Sequence, residues 1–561
     1  MTLLNSFDSA RDLEEFLGDP LVPAGPLTYG QAVADDRDER FPRSSLEALH
    51  SWGYPAFQVP EARGGRLTSL EELVALGRVV ARRDPAVAVI ANAPLAAAMP
   101  VWLAGTPTQQ AEVGRADLDG GPIALGLTEE QHGADLLAGE VTARRTGTGY
   151  VVDGTKWLIN NVRLARFLCL LVRDADREGL RSLSLLLVDL EALAPASYEF
   201  LPKIRTHGAC GLDVAGVRFR DAFVPGSACI GRPGRGLELT AQSLVMTRTL
   251  VPALSLGALE TALRCTLDFL RDRRLYGGRA IDIPFVQDEL AAAFLDLAVA
   301  EVVTACCVRV LSLLPDLAPI SSAVAKYVVP HVVEARMRRL STVLGARYFL
   351  REGHWSGIFE KLLRDVRLFS LFDGSEPVML SALSAQVSCL SRDDVDPRRA
   401  DGAFRWDATT SGQILTTGMF ATVADEDPVT AGLPEACAAL AQRPATDTGL
   451  MQALDLLRSL GDDLLRQAGN VVDPRSAAGQ GLGDRYARVF ATTCLVRSCL
   501  AAPAAVGPAV PPAWLAAALL SLLRPGARMP RPTSLSLFRV LLRQYSGRRA
   551  LASSTGDGRS T

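Results

Sequence analysis

The 561-residue chain has little that would tie it to a metal, a phosphate-cradling loop or a nucleic acid. Its ten cysteines stand singly apart from the pair Cys306-Cys307, and no CxxC occurs. The five histidines, His50, His132, His207, His331 and His354, are widely spaced, so no zinc-ligand pattern forms. Such cysteines read as reduced, buried small hydrophobes, and a cytoplasmic protein is expected. No GxGxxG follows a strand-like run and no Walker loop appears, which removes two common nucleotide-binding modes. With a formal charge of −3 and no basic block, nothing calls for nucleic acid. The start of the chain carries Asp8, Arg11, Asp12, Glu14 and Glu15, unlike a signal peptide. The longest late apolar run, from Ala513 to Leu523, is far below the roughly twenty residues that span a bilayer. A short buried helix is expected there, and membrane contact is not.

Hydrophobic residues make up 48% of the chain and charged residues 22%, enough for large cores in about three or four domains. Residues 1–122 read as helices: Ser44 with Glu47 suggests a capping box, Ser69 opens a periodic run to Val80, and Ala86 to Trp102 suits a helix buried on several sides. Residues 123–235 read as a middle β domain, a small barrel or open antiparallel sheet. Gly149 to Lys156 carries a hairpin signal with an Asp153-Gly154 turn, and Leu168–Val172 and Leu183–Val188 look like buried strands. Residues 236–390 read as a four-helix bundle with helices over 237–271, 286–314, 321–344 and 378–390. The third carries an apolar stripe at Ala325, Val329, Val333 and Met337. A charged stretch over 391–412 reads as a linker. Residues 413–561 form an extra helical domain with a disordered tail.

The most informative segment runs from Leu362 to Ser375. It reads as a helix end, a break at Gly374 and a carboxylate, Asp373, following the largely apolar run Leu368 to Phe372. A carboxylate enclosed by apolar groups holds protons more readily than one in water, which makes it useful as a general base. The alternative is a helix C-terminus punctuated by an acid and a glycine. The run resembles the acyl-CoA dehydrogenase pattern L-x-R-D-x-R-x-x-x-I-Y-E-G-T, matched at Leu362, Arg364, Asp365, Arg367, Gly374 and Ser375, with Asp373 in place of the glutamate base. The resemblance extends from about Leu27 to Leu390. It implies that family's α+β fold, while residues 413–561 resemble the extension of the very-long-chain acyl-CoA dehydrogenases.

The same resemblance implies FAD. Leu127-Thr128-Glu129-Glu130-Gln131-His132-Gly133-Ala134-Asp135 is similar to L-T-E-P-x-A-G-S-D, which lies along the flavin. It places the Thr128 hydroxyl and local backbone at the pyrimidine edge, with Ala134 replacing a serine; His132 reads as a loop histidine. In Gly154 to Asn161, similar to G-x-K-x-W-I-T-N, Leu158 takes the place of the covering aromatic and Trp157 sits one residue earlier, facing away unless a bulge intervenes. Asn160 stands for the flavin-contacting threonine. Arg271 to Gly277 resembles E-R-x-Q-F-G, so Arg273 would reach the FAD pyrophosphate of a second subunit in a homodimer, with Tyr276, a further cofactor-binding candidate, in place of the phenylalanine; the alternative for Arg273 is a surface helix end. Gln287 matches a glutamine near the adenosine. Gly345 marks the region where Ala346 and Tyr348 replace glycines, and Ser375 closes the base motif. Arg248, on a helix facing the thioester, would position substrate or Asp373.

The activity implied is α,β-dehydrogenation of an acyl thioester, on CoA or an acyl carrier protein, with Asp373 as the α-proton base. An electron-transferring flavoprotein would be the acceptor. A second reading is an oxygen-using flavoenzyme on this scaffold that desaturates, oxidatively decarboxylates or oxygenates a natural-product intermediate, including a free acid, as epoxyketone-forming relatives do. A third is a non-catalytic interaction protein.

Overall fold

The computed structural model describes all residues except 1–6, 176, 391–394, 406–409, 411–419, 444–445, 468–472, 503–509 and 547–561. Six helices come first: α1 Asp8–Leu17, α2 Tyr29–Arg37, α3 Arg43–Trp52, α4 Leu70–Ala81, α5 Pro85–Ala104 and α6 Pro107–Leu118. Ser69 caps α4 by accepting from the Glu72 amide at 3.3 Å. The capping box expected at Ser44 is absent, because the cap position of α3 lies two residues earlier at Pro42, which has no side chain able to cap.

Seven strands follow: β1 Ile123–Gly126, β2 Thr142–Arg145, β3 Gly149–Asn160, β4 Phe167–Asp174, β5 Leu183–Asp189, β6 Tyr198–Phe200 and β7 Val214–Pro225. They form one sheet ordered β1-β4-β2-β3-β7-β6, with β5 on β4. The sheet is mixed, since β4 pairs in parallel with both β1 and β2. Asp153-Gly154 is not a hairpin turn. The strand β3 runs straight through it with a register shift against β7, and Gly154 takes φ +122°. A Cβ there would lie 2.9 Å from the Val141 backbone, so the dipeptide serves a close strand crossing and a bulge.

The bundle comprises α7 Gly236–Asp272, α8 Pro284–Leu313, α9 Ala318–Leu344, α10 Ile358–Asp365 and α11 Glu376–Cys389, with the hairpin β8 Arg274–Leu275 and β9 Gly278–Arg279 after α7. Long apolar sequences build it. The helices α5, α7 and α8 are each long and apolar enough to cross a membrane, yet most of each apolar stretch is buried within the fold. Buried charge ties the helices together: Arg78 of α4 lies 3.0 Å from both Glu260 of α7 and Glu301 of α8.

The stretch read as a linker carries a 3-10 helix, Pro397–Phe404, whose Ala400, Ala403 and Phe404 are buried, so it is packed. Beyond it come α12 Pro428–Ala431, α13 Leu433–Ala441, α14 Thr448–Gln467, α15 Ala477–Ala501, α16 Pro512–Leu523 and α17 Arg531–Ser546. The apolar run of α16 is buried, and α17 lies along α8. The tail expected to be disordered, 553–561, is outside the described residues.

Among the described residues, the buried acid Asp117 has no counter-charge. Asp117 of α6 is buried, its Oδ2 has no hydrogen-bond partner, and burial pushes its carboxyl up to about 7. Wild-type stability should therefore fall between about pH 4 and pH 7, where the unfolded carboxyl ionises and the folded one stays protonated. The full penalty is on the order of 4 kcal/mol at 1.36 kcal/mol per unit. Asp117→Asn removes that penalty and adds about 1–3 kcal/mol for unmet amide donors. Urea denaturation should find the variant more stable than wild type at pH 8, with no advantage at pH 5.

Candidate active site

Asp373 lies between a 3-10 turn, Val366–Ser370, and the start of α11. Its own φ is +56° and that of Gly374 is +118°. A non-glycine residue in the left-handed region persists only where its surroundings hold it. Two helices do so here. Arg248 of α7 donates from Nε to the Asp373 backbone carbonyl at 2.7 Å. Lys326 of α9 donates from Nζ to the Phe369 carbonyl, and the same ammonium sits 5.0 Å from the centre of the Phe372 ring.

The carboxylate's surroundings are thus not the purely apolar enclosure expected from Leu368 to Phe372. Phe369 is buried, but Leu371 is 50% exposed and two cations stand beside the turn. Burial lowers the proton affinity of Arg248, and the Asp373 charge opposes that. Burial likewise pulls Lys326 down to about 8, again opposed by Asp373. Sequence reasoning passed over Lys326, although one signal was available: the chain has only four lysines.

The rest of the matched motif is architectural. Lys361 lies 2.6 Å from Asp84 and 2.5 Å from Asp365, and Asp365 accepts from the Ala209 amide at 2.6 Å. Arg364 pairs with Asp36 at 2.7 Å and Arg367 with Glu334 at 2.6 Å. The bonds of Lys361, Arg364 and Asp365 clamp α10 to the N-terminal helices and to the loop before β7, and that of Arg367 ties the following 3-10 turn to α9.

A second group of residues lies on β3 and the end of β1. The Thr128 hydroxyl donates to the Trp157 carbonyl at 2.7 Å and the Trp157 amide returns a bond to the Thr128 carbonyl at 3.0 Å. The Thr128 hydroxyl proton thus latches the end of β1 onto β3, and its remaining lone pair can still accept from a ligand. Lys156 donates to the Leu127 carbonyl at 2.9 Å and to Glu129 at 2.7 Å. Against burial, Lys156 and the amides of Glu140 and Val141 hold the Glu129 carboxyl below its usual range. Gly133 and Ala134 are exposed on the following loop.

A bulge does intervene at Trp157. The register with β7 shifts between Lys156 and Ile159, and Leu158 adopts φ +60° with 48% exposure. At the end of the strand the Asn160 Oδ1 is buried without a hydrogen-bond partner. Asn160 pairs with Val214 across β7, and Val214 shares a small core with Leu368, five residues before Asp373. The two groups thus belong to one continuous packed region.

The remaining candidates lie elsewhere. Arg273, just after α7, stacks 5.4 Å over the Phe269 ring, and Tyr276 at the β8–β9 tip is 97% exposed with φ +52°. Gln287 does not stand free: its Oε1 accepts from Arg531 of α17, which also pairs with Asp288 at 2.6 Å. The extension packed on α8 thus engages that oxygen. Gly345 ends α9 with φ +63° and open space where a Cβ would point, and Ser375 precedes α11 without capping it through its side chain.

Three successive family models match the chain: acyl-CoA dehydrogenase N-terminal domain over 29–116, middle domain over 124–222 and C-terminal domain over 234–388. A probable acyl-CoA dehydrogenase of Mycobacterium tuberculosis is 25% identical over 356 residues, covering 63% of this chain and 89% of that protein. Among solved structures, an acyl-CoA dehydrogenase from Bacillus anthracis complexed with FAD aligns with TM-score 0.71 at 17% identity. It covers 96% of this chain and 94% of its own, so the fold likeness includes the C-terminal helices. A nitroalkane oxidase aligns with TM-score 0.62 at 20% identity over 70% of this chain and 97% of its own.

Proposed function

The chain belongs to the acyl-CoA dehydrogenase family of FAD-dependent oxidoreductases, and from that premise we propose that it oxidises an acyl thioester at the α and β carbons with Asp373 as base. The observation that carries this is the carboxylate at the family's base position, on a left-handed turn held by Arg248 and Lys326.

The residues fit the cofactor. The unpartnered Asn160 Oδ1 marks an amide suited to the polar edge of an isoalloxazine ring, where a threonine or an amide can each serve. Gly133 and Ala134 offer an exposed loop backbone, and Arg273 a guanidinium for the pyrophosphate of a second copy. Bound FAD supplies the acceptor for the hydride that leaves the β-carbon. Asp373 takes the α-proton onto its carboxylate oxygen, and Arg248 fixes that oxygen's direction by holding the residue's backbone. Anaerobic addition of a panel of acyl-CoA thioesters, carrier-bound acyl groups and free acids should bleach the flavin with at least one thioester. Bleaching by free acids alone would reject the thioester reading.

One observation favours the oxygen-using reading. Where the family carries a covering aromatic, Leu158 is left-handed and half exposed, and an aliphatic side chain there would cover less of the flavin than a ring. Reduced protein mixed with air separates the two: reoxidation within seconds supports an oxidase or oxygenase, and reoxidation only with an electron-transferring flavoprotein supports a dehydrogenase.

The exposed Tyr276 hairpin fits a homodimer in which Arg273 reaches the neighbour's cofactor. Arg273→Ala should lower FAD retention on gel filtration about tenfold, the size expected for one charge-assisted phosphate contact. Unchanged retention would reject the cross-subunit role.

A further inference from the structure

Of the four lysines in the chain, three are anchored by two protein groups each. Lys156 holds Glu129 and the Leu127 carbonyl, Lys203 holds the Glu39 and Cys210 carbonyls, and Lys361 holds Asp84 and Asp365. Lys326 differs. It is 2% exposed, yet its ammonium, with three donors, meets one carbonyl, that of Phe369, and the face of the Phe372 ring. The charged groups acting on it are Asp373 beyond the turn, Arg248 from α7 and Glu334 from its own helix, which is itself paired with Arg367. A buried ammonium without a carboxylate bonded to it is costly to retain, so its charge calls for a use.

We infer that Lys326 is a positioning residue for Asp373: it pins the Phe369–Phe372 segment from α9, as Arg248 pins the Asp373 carbonyl from α7, and its charge acts through space on the carboxylate that takes the proton. The inference rests on the reading of Asp373 as base. Methionine at 326 keeps the length and apolar stem while removing the charge and the donor, and it relieves the burial cost, so the fold should survive. Arginine keeps the charge at every accessible pH. Because burial leaves the lysine titrating at about 8, the wild-type function of the pair should fade on the alkaline side of that value.

Two measurements test this on the FAD-loaded full chain. The first is deuterium exchange at the α-carbon of 3-thiaoctanoyl-CoA in deuterium oxide. The sulfur replaces the β-carbon, so only proton abstraction and return are read. Exchange at pH 7 should fall at least tenfold in Lys326→Met with FAD content unchanged, and Lys326→Arg should restore part of it without the alkaline decline. The second is the titration of 13C-labelled lysine by NMR, where four signals are expected and Lys326→Met identifies one. In Asp373→Asn the Lys326 midpoint should drop by at least half a pH unit. Exchange in Lys326→Met within twofold of wild type, or a lysine midpoint unmoved by Asp373→Asn, overturns the inference. Equal exchange in wild type and Asp373→Asn would instead sink the base assignment. The lysine titration needs no substrate and decides the pairing by itself.

Discussion

Replacing Asp373 with asparagine is expected to leave FAD content and stability unchanged and to lower turnover by about a hundred to ten thousandfold, the usual contribution of a positioned base. That is about 3–5 kcal/mol of barrier at 1.36 kcal/mol per tenfold. The fold should tolerate the change because Arg248 bonds the backbone carbonyl of residue 373 and not its side chain. Asparagine also tolerates the left-handed conformation better than most residues. Asp373→Glu should fall about a hundredfold as well, because the added methylene displaces the carboxylate by roughly 1.5 Å in a turn fixed from two sides. Stopped-flow reduction with the best thioester from the panel measures both variants; an Asp373→Asn rate within tenfold of wild type removes the residue from the chemistry.

The largest stability loss is expected at Lys361. Its ammonium is buried between Asp84, which also accepts from the Ala86 amide at the start of α5, and Asp365, which holds the Ala209 amide. Lys361→Met leaves both carboxylates buried without a cation. Removing one partner of such a pair costs about 3–5 kcal/mol. Burial already pushes Asp365 up to about 6 against the lysine's pull. In the variant Asp365 should bind its proton more readily still, so the loss is greater at pH 8 than at pH 5. Urea denaturation at the two pH values checks the sign. An equal loss at both would mean that lost packing, and not stranded charge, sets the effect.

Much of this was legible from residues. The apolar stretches of α5, α7, α8 and α9 lie close to where periodicity set them, because a helix that buries most of its circumference must be apolar nearly throughout. The strands β4 and β5 were equally plain, as fully buried strands read as unbroken apolar runs. Asp153-Gly154 misled because a bulge and a hairpin demand the same left-handed glycine, and only the strand crossing above it distinguishes them. The contact of Gln287 with Arg531 was not legible, because the two residues lie 244 positions apart in the chain.

By itself the sequence determined which side chains are available at the base turn, an acid followed by a glycine, and which helices must be buried. Tertiary structure alone decided what surrounds that acid. Arg248, Lys326 and Phe372 come from three separated segments, and their meeting depends on the packing of α7 and α9 against the turn. Local propensity carries no term for such a meeting; electrostatics acts through space, so the charge facing a carboxylate is set by which helices pack beside it.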